Sequence, residues 1–337
     1  MEYTKRTMSI DSESITLNPL QLRMRDKVLN KLSNGDYKTE EVNCPCCNIP
    51  SNRVIAEKDR FNLPNTVVIC ERCGFLFTSP RMNQSSYNEF YNNEYRPLYV
   101  GESSAEISFF QAQIKQGKRI HDYILKEIKD FDNETKFVLE VGCGAGGILA
   151  YFKQKGHKVM GIDIGEEYIE FGKSQSIELK SGNLESVDLD QSPDLIIYSH
   201  VMEHILDLPQ ELSNIKKVAT NKTLIYVEVP GVKNIHKAYQ SDIMKYYQNA
   251  HTYHFTLTSL TRIFQQLDFA RIAGNEFVRA IFKINEKHNA IRLDNELYEI
   301  EKYLTLQEKI RPFFWLTPIG LKQLAIRIYK RIKSIFQ

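Results

Sequence analysis

Three groups of residues in this 337-residue chain have types and spacings that chemistry uses. The first is a glycine run flanked by acids. Glu140 stands two residues before Gly142, which Gly144, Gly146 and Gly147 follow, and Asp163 lies about twenty residues on. Turn glycines let a ligand approach the backbone closely and adopt angles that other residues resist. An acid ending the next strand can accept hydrogen bonds from a ribose diol. This group suits a nucleoside-containing cofactor. The second group is two C-x-x-C pairs, Cys44 with Cys47 and Cys70 with Cys73. Two such pairs match a tetrahedral zinc site, and an all-cysteine set leaves no position open for catalysis, so the ion would be structural. Pro45 and Gly74 suit the tight turns. Cys46 is a spectator or a competitor of Cys47, and buried reduced thiols are the plainer alternative for the whole set. The third group is His200, His204, His251 and His254. Histidine is the side chain most easily tuned to take a proton near neutral pH.

The elements that must position these groups follow from periodicity. Phe137, Val138, Leu139 and Val141 form an apolar run that predicts a buried parallel strand. A short helix follows through Ile148, Leu149, Tyr151 and Phe152, then a strand over 158–162 that delivers Asp163. Upstream, Ile107, Phe110, Ile114, Ile120, Tyr123, Ile124 and Ile128 predict a helix over 104–131. Downstream, a helix is expected over 166–174, a strand over 177–181, a strand over 194–200, a helix over 208–219 and a strand over 222–229. Such alternation means a parallel sheet with helices on both faces. Ligands in these sheets bind outside the carboxyl ends of the strands. Those ends carry the glycines, Asp163, Asn183, His200 and residues 230–232. A helix over 257–267 and two antiparallel runs, 270–275 and 277–285, complete the sheet.

Gly142, Gly144 and Gly147 also satisfy the dinucleotide pattern G-x-G-x-x-G. An NAD-dependent oxidoreductase acting on a sugar nucleotide is therefore a rival. Glu140 argues against it, because a carboxylate at the mouth repels a pyrophosphate and welcomes a cationic amino-acid moiety.

Four segments carry a family resemblance. EVGCGAGG resembles motif I of the class I S-adenosylmethionine-dependent methyltransferases, and GIDIG is similar to their acidic second-strand motif. DLIIYSHVMEHILD resembles their fourth-strand segment, and LIYVEVPG with HTYHFTLTSL the later part of one subfamily. That subfamily carries a zinc knuckle ahead of the methyltransferase domain, which the cysteine pairs and CGFLFTSPR match. The resemblance covers about residues 43–285. It implies an α/β fold, a Rossmann-like doubly wound sheet with an N-terminal zinc knuckle and a C-terminal helical tail. It further implies that Glu140, Gly142, Cys143, Gly144 and Gly146 frame the methionine portion of S-adenosylmethionine. Asp163 would hold the ribose and Ile164 the adenine, with Asn183 and Leu184 at the adenine edge. Asn183 replaces the usual aspartate. His200 would lie beside the methyl group.

For catalysis the resemblance nominates His251 as general base, although Ala250 replaces the acid that precedes the matching histidine in related sugar methyltransferases. His200 is a second catalytic candidate, His204 is a structural anchor, and Tyr246 and Tyr247 are candidates for substrate contact. The expected reaction is O-methylation of a sugar or a glycan- or lipid-linked acceptor, in polysaccharide biosynthesis. A non-catalytic zinc-containing adaptor is the remaining alternative.

The rest of the chain divides into a polar arm over 1–40, the knuckle and linker over 41–101, the methyltransferase domain over 102–285 and basic amphipathic helices over 286–337. Tyr91 and Tyr95 in the linker would line a pocket or pack under a lid. Residues 309–337 contain no acid, and Leu321, Leu324, Ile328, Ile332 and Ile335 fall on one helical face. With Phe313, Phe314 and Trp315 just before, that pattern suits peripheral membrane contact, or a helix docked on the protein's own core. A net charge of +2 predicts no nucleic-acid partner. No apolar run reaches membrane-spanning length and the first residues lack a signal-peptide core, so the cytoplasm is expected, extending to the inner membrane surface if the tail binds there.

Overall fold

The computed structural model describes residues 2–8, 11, 13–101, 107–285 and 295–335, with side chains between residues 5 and 329. The expected helical residues 104–106, the stretch 286–294 and the side chains of Lys330, Arg331, Ile332, Lys333 and Ile335 lie outside this description.

A seven-stranded sheet forms the centre. Its strands in chain order are β1 (Phe137–Val141), β2 (Lys158–Asp163), β3 (Leu179–Ser181), β4 (Leu195–Ser199), β5 (Leu224–Glu228), β6 (Phe269–Asn275) and β7 (Arg279–Ile284). They lie in the order β3-β2-β1-β4-β5-β7-β6. The first five are parallel, and β7 is antiparallel to both β5 and β6. The order in which strands are added reverses between β1 and β4, which opens a crevice over their carboxyl ends.

All of β1 is buried, because alternate side chains enter two different cores. Leu139 and Val141 join Met160, Ile196 and Val227 on one face, while Val138 joins Val159, Leu195 and Tyr226 on the other. Each fully buried Leu, Ile or Phe contributes roughly 1.5–3 kcal/mol. Helix Ile107–Glu127 packs against helix Gly147–Gln154. Gly117 permits the close approach, since a Cβ there would meet the Ile148 carbonyl at 2.7 Å. On the other face lie helices Leu208–Val218 and Leu257–Gln265. The second of these starts at a reciprocal cap: Thr256 Oγ1 accepts from Ser259 N–H at 3.0 Å, and Ser259 Oγ accepts from Thr256 N–H at 2.9 Å.

A smaller four-stranded sheet carries the cysteine pairs. Asn52–Lys58, Pro64–Cys70 and Leu76–Thr78 are successive antiparallel strands. The fourth, Tyr253–His254, comes from the far side of β5 and pairs with Leu76 and Phe77. The knuckle sheet is thus completed by the segment that follows His251. Helix Pro19–Ser33 is capped by Asn18 and docks through Val28 onto Phe61, Phe90 and Leu98.

At the other end, helix Glu296–Ile310 buries Ile300 and Leu304 against Ile55 and Tyr246. Helix Pro318–Ile335 then runs along the surface and meets the body through Gln323 Nε2, which donates to the Lys237 carbonyl at 2.9 Å. Leu316, Leu321 and Ile328 remain 75%, 53% and 51% exposed. Among the described residues no helix is long and apolar enough to cross a membrane.

Candidate functional site

The loop after β1 is built from left-handed glycines. Gly142 has φ +70° and Gly144 φ +54°, a region that side chains resist. A Cβ on Gly142 would also meet Val201 at 2.4 Å. Helix Ile107–Glu127 braces this loop from above. Gln113 Nε2 donates to the Cys143 carbonyl at 3.0 Å, and Gln113 Oε1 accepts from Gly147 N–H at 3.2 Å.

Two acids flank the loop. Glu140 is 1% exposed, and its Oε2 has no hydrogen-bond partner. Burial, with the negative charge of Asp163 added, pushes its carboxyl well above the usual range. Asp163 accepts from Gly144 N–H at 2.7 Å and from Gly165 N–H at 2.8 Å. Ile164, beside it, is an exposed apolar side chain. Asn183 is exposed and turns back to accept from Ser186 N–H at 3.0 Å, while Leu184 is buried in the core under the sheet. Cys143 is buried as well. Its side chain enters the core, its N–H donates to Ile162, and its carbonyl receives Gln113. Cys143 therefore shapes the loop through its backbone.

The histidines gather on the far side of β4. His200 follows β4 with φ +58° and a side chain 46% exposed. Desolvation acts to lower its pKa, but Glu203 at 3.5 Å and the charge of Glu228 outweigh that and raise it. A 3-10 turn, Met202–His204, comes next. Its carbonyl at Glu203 accepts from Thr252 N–H at 2.8 Å, and the Thr78 hydroxyl donates to the His251 carbonyl at 3.0 Å. The segment around His251 is thereby clamped between the β4 turn and the knuckle sheet.

His251 is buried, and its Nδ1 has no partner. Burial, then the charges of His204, His254, Arg60 and His200, hold its pKa well below the ordinary value. His254 is pulled down to about 3 by burial, and neither ring nitrogen is bonded. Tyr247 is buried with its ring 5.2 Å from that of His254.

A ladder of tyrosines roofs this chamber. Tyr87, Tyr91, Tyr95 and Tyr99 follow at four-residue intervals, with adjacent ring centroids 4.9, 4.3 and 4.8 Å apart. Tyr91 and Tyr95 both pack against the His204 ring. Tyr87 OH donates to the Ala250 carbonyl at 2.6 Å, and Tyr99 OH accepts from Ala250 N–H at 3.1 Å. Burial keeps these hydroxyls protonated, with Tyr95 pushed up to about 12. Beside the chamber a depression of about 550 Å³ is lined in part by Ser14, Thr16, Arg60, Tyr239 and Lys245.

The four cysteines converge. Their Sγ atoms lie within 4.8 Å of one another, with Cys44–Cys73 and Cys47–Cys70 both at 3.5 Å. Zinc–sulfur bonds of about 2.3 Å in a tetrahedron set such edges near 3.8 Å, so the set fits one ion. Cys46 is buried beside them but stands outside the set of four.

A family profile described as a methyltransferase domain matches residues 111–273. That stretch, just under half of the chain, is similar to a methyltransferase domain. An uncharacterized RNA methyltransferase of Bacillus cereus is 29% identical to the chain over 125 residues, 36% of this chain and 27% of that protein. An uncharacterized methyltransferase of Staphylococcus carnosus is 25% identical over 122 residues, 35% of this chain and 58% of that protein. The chain thus covers less than two thirds of either relative. A solved S-adenosylmethionine-dependent methyltransferase from Clostridium acetobutylicum shares 11% identity over 59% of this chain and 99% of its own, with a TM-score of 0.41. The matched stretch takes in the glycine loop of Gly142, Gly144 and Gly147.

Several residues at this site escape the sequence reading. Gln113 faces the glycine loop from a helix whose apolar stripe alone was legible. Glu203 lies inside the HVMEH segment without drawing notice. The tyrosine ladder had a visible signal, four tyrosines at constant spacing.

Proposed function

We propose that the chain transfers a methyl group from S-adenosylmethionine to a hydroxyl of a sugar or glycan-linked acceptor. The observation that carries this reading is the buried Glu140 carboxylate, with Oε2 unpartnered, at the mouth of a left-handed glycine loop. An unpaired buried acid suits the ammonium of an amino-acid moiety. Asp163 offers its remaining lone pairs to a ribose diol, and exposed Ile164 an apolar face to adenine. Asn183 and Leu184 stand where the adenine edge would lie. When bound, the cofactor supplies an electrophilic methyl group on a sulfonium.

The acceptor belongs in the chamber of tyrosines and histidines, whose neutral hydroxyls suit a polyol. Arg60 and Lys245 in the neighbouring depression suit an acidic extension of it, such as a phosphate. Positioning supplies much of the rate in an in-line displacement. His200, at the open end of β4 with its pKa raised, takes up the acceptor proton. His251 binds protons too weakly for that task and holds the acceptor side. The B. cereus relatives carry RNA in their names, but the net charge of +2 and the aromatic chamber favour a small acceptor.

Calorimetry with S-adenosylmethionine and NAD tests the donor. Binding of NAD instead, or of neither, overturns the reading. Mass spectrometry of extracted glycans, seeking the gain of one methyl, tests the acceptor.

We further assign a structural zinc ion to Cys44, Cys47, Cys70 and Cys73, and peripheral contact with an anionic membrane to the tail. Exposed Phe313, Leu316 and Leu321 beside Arg311, Lys322 and Arg327 support the latter. Truncation at residue 311 should abolish sedimentation with anionic vesicles; undiminished sedimentation would remove the assignment.

A further inference from the structure

The chamber also brings together three side chains able to ligate a metal ion, Glu203, His204 and His251. Glu203 is 1% exposed, and neither carboxylate oxygen has a hydrogen-bond partner. Its Oε1 lies 3.8 Å from His204 Nε2. The Ala250 carbonyl can only accept, and it sits 2.9 Å from His204 Nδ1. The Tyr91 hydroxyl, 2.5 Å from the same nitrogen, can accept as well, so with Nδ1 carrying the proton for Ala250, Nε2 presents a lone pair. A lone pair and a carboxylate then face each other with no proton between them. His251 adds a third group: its Nδ1 is unpartnered, and its ring is 4.8 Å from that of His204. The ligand atoms of Glu203, His204 and His251 all lie within 4.8 Å of one another.

A second histidine–carboxylate group gives the contrast. Asp132 accepts from His121 Nε2 at 3.0 Å and from His157 Nε2 at 3.2 Å, so its own hydrogen bonds satisfy it. In the chamber group no hydrogen bond satisfies the Glu203 carboxylate, which has only longer approaches to His200 Nδ1 at 3.5 Å and His204 Nε2 at 3.8 Å. Burying unpaired polar groups is costly, and a cation among them removes that cost.

We propose that Glu203, His204 and His251 bind one divalent first-row transition-metal ion, which takes an acceptor oxygen as a further ligand. The ion's task rests on the chamber being the acceptor site; its binding does not. Two imidazoles and one carboxylate suit such an ion and leave positions open. A hydroxyl bound to it would have a lowered pKa. The bond from His204 Nδ1–H to Ala250 is the orienting contact that metal-ligating histidines make. This site is separate from the four thiolates, whose soft donors select a different ion.

The test is titration of manganese(II) into the full-length protein as purified, with free ion read by paramagnetic resonance. Wild type should bind one equivalent. Glu203→Gln and His251→Ala should each weaken binding at least tenfold, and Asp132→Asn should leave it unchanged. Manganese that stays free up to millimolar concentration in wild type overturns the site. So does a folded Glu203→Gln or His251→Ala variant that binds like wild type. Calorimetry with S-adenosylmethionine on the same sample separates the two readings: manganese bound without the methyl donor sinks the donor assignment and leaves the ion site standing.

Discussion

Burying a carboxylate without a partner costs free energy, and Glu140 does so where a cationic ligand would recover it. Its pKa is raised, so its contribution to stability is present at low pH and lost as pH rises through the folded value. Glu140→Gln should therefore stabilise the ligand-free protein at neutral pH by about 1 kcal/mol or more, seen as a higher melting temperature. The same change should weaken S-adenosylmethionine binding about tenfold or more, since hydrogen bonds to charged groups are worth roughly 1.5–3 kcal/mol. Calorimetry with thermal melts checks both directions at once. As the proposed proton acceptor, His200 would have the opposite task. A proton acceptor is inactive while protonated, so kcat/KM should rise with pH through a value above the ordinary 6.5. His200→Ala should lose that limb and at least about a hundredfold in kcat, with donor affinity unchanged. A pH profile that keeps the limb in the variant would move the proton to another group.

At the scale of elements, the arm helix Pro19–Ser33 hangs on one buried acid. Glu94 is fully buried, with Lys27 at 2.8 Å, Lys31 at 3.0 Å and the Tyr37 hydroxyl around it. Burial alone would raise its pKa, but these partners hold it below the usual 4.5. A depressed acid stabilises above its ordinary pKa, and that support is lost as pH falls through the folded value. Glu94→Ala should cost about 3 kcal/mol, because it also leaves cations facing a buried void. Hydrogen exchange over 19–33 should speed up while exchange in β1 and β4 stays slow. The tyrosine ladder is a second element-scale device. Four α-helical residues overshoot one turn. The wider π turn at Tyr91–Tyr95 offsets that drift and keeps the rings stacked.

In the molecule as a whole, the knuckle and the chamber are one structure. The strand Tyr253–His254 completes the knuckle sheet two residues after His251, and Arg262 Nη1 donates to the Cys73 carbonyl at 3.2 Å. Loss of zinc should therefore reach the acceptor side first. Cys47→Ser, or chelation, should lower the melting temperature and turnover while leaving S-adenosylmethionine affinity within about twofold, because distant sites couple weakly. Unchanged turnover after verified metal loss would separate the two.

Local patterns were enough for the sheet and the cradle. An apolar run, a glycine turn and an acid are contiguous, and parallel strands bring their carboxyl ends to one edge whatever surrounds them. Glu140, Gly142, Gly144 and Asp163 were legible for that reason, as were the cysteine pairs, whose spacing is itself the geometry. The chamber was not legible. Tyr91, His204, Glu203 and His251 lie far apart in the chain, and only the clamp between the β4 turn and the knuckle sheet brings them together. The opposite pKa shifts of His200 and His251 were also invisible, because identical side chains differ only in burial and neighbouring charge. Sequence by itself determined the glycine loop, its flanking acids and the sheet edge that carries them; tertiary structure decided which acids and imidazoles meet around His204, since only long-range contacts bring them together and burial sets their charge.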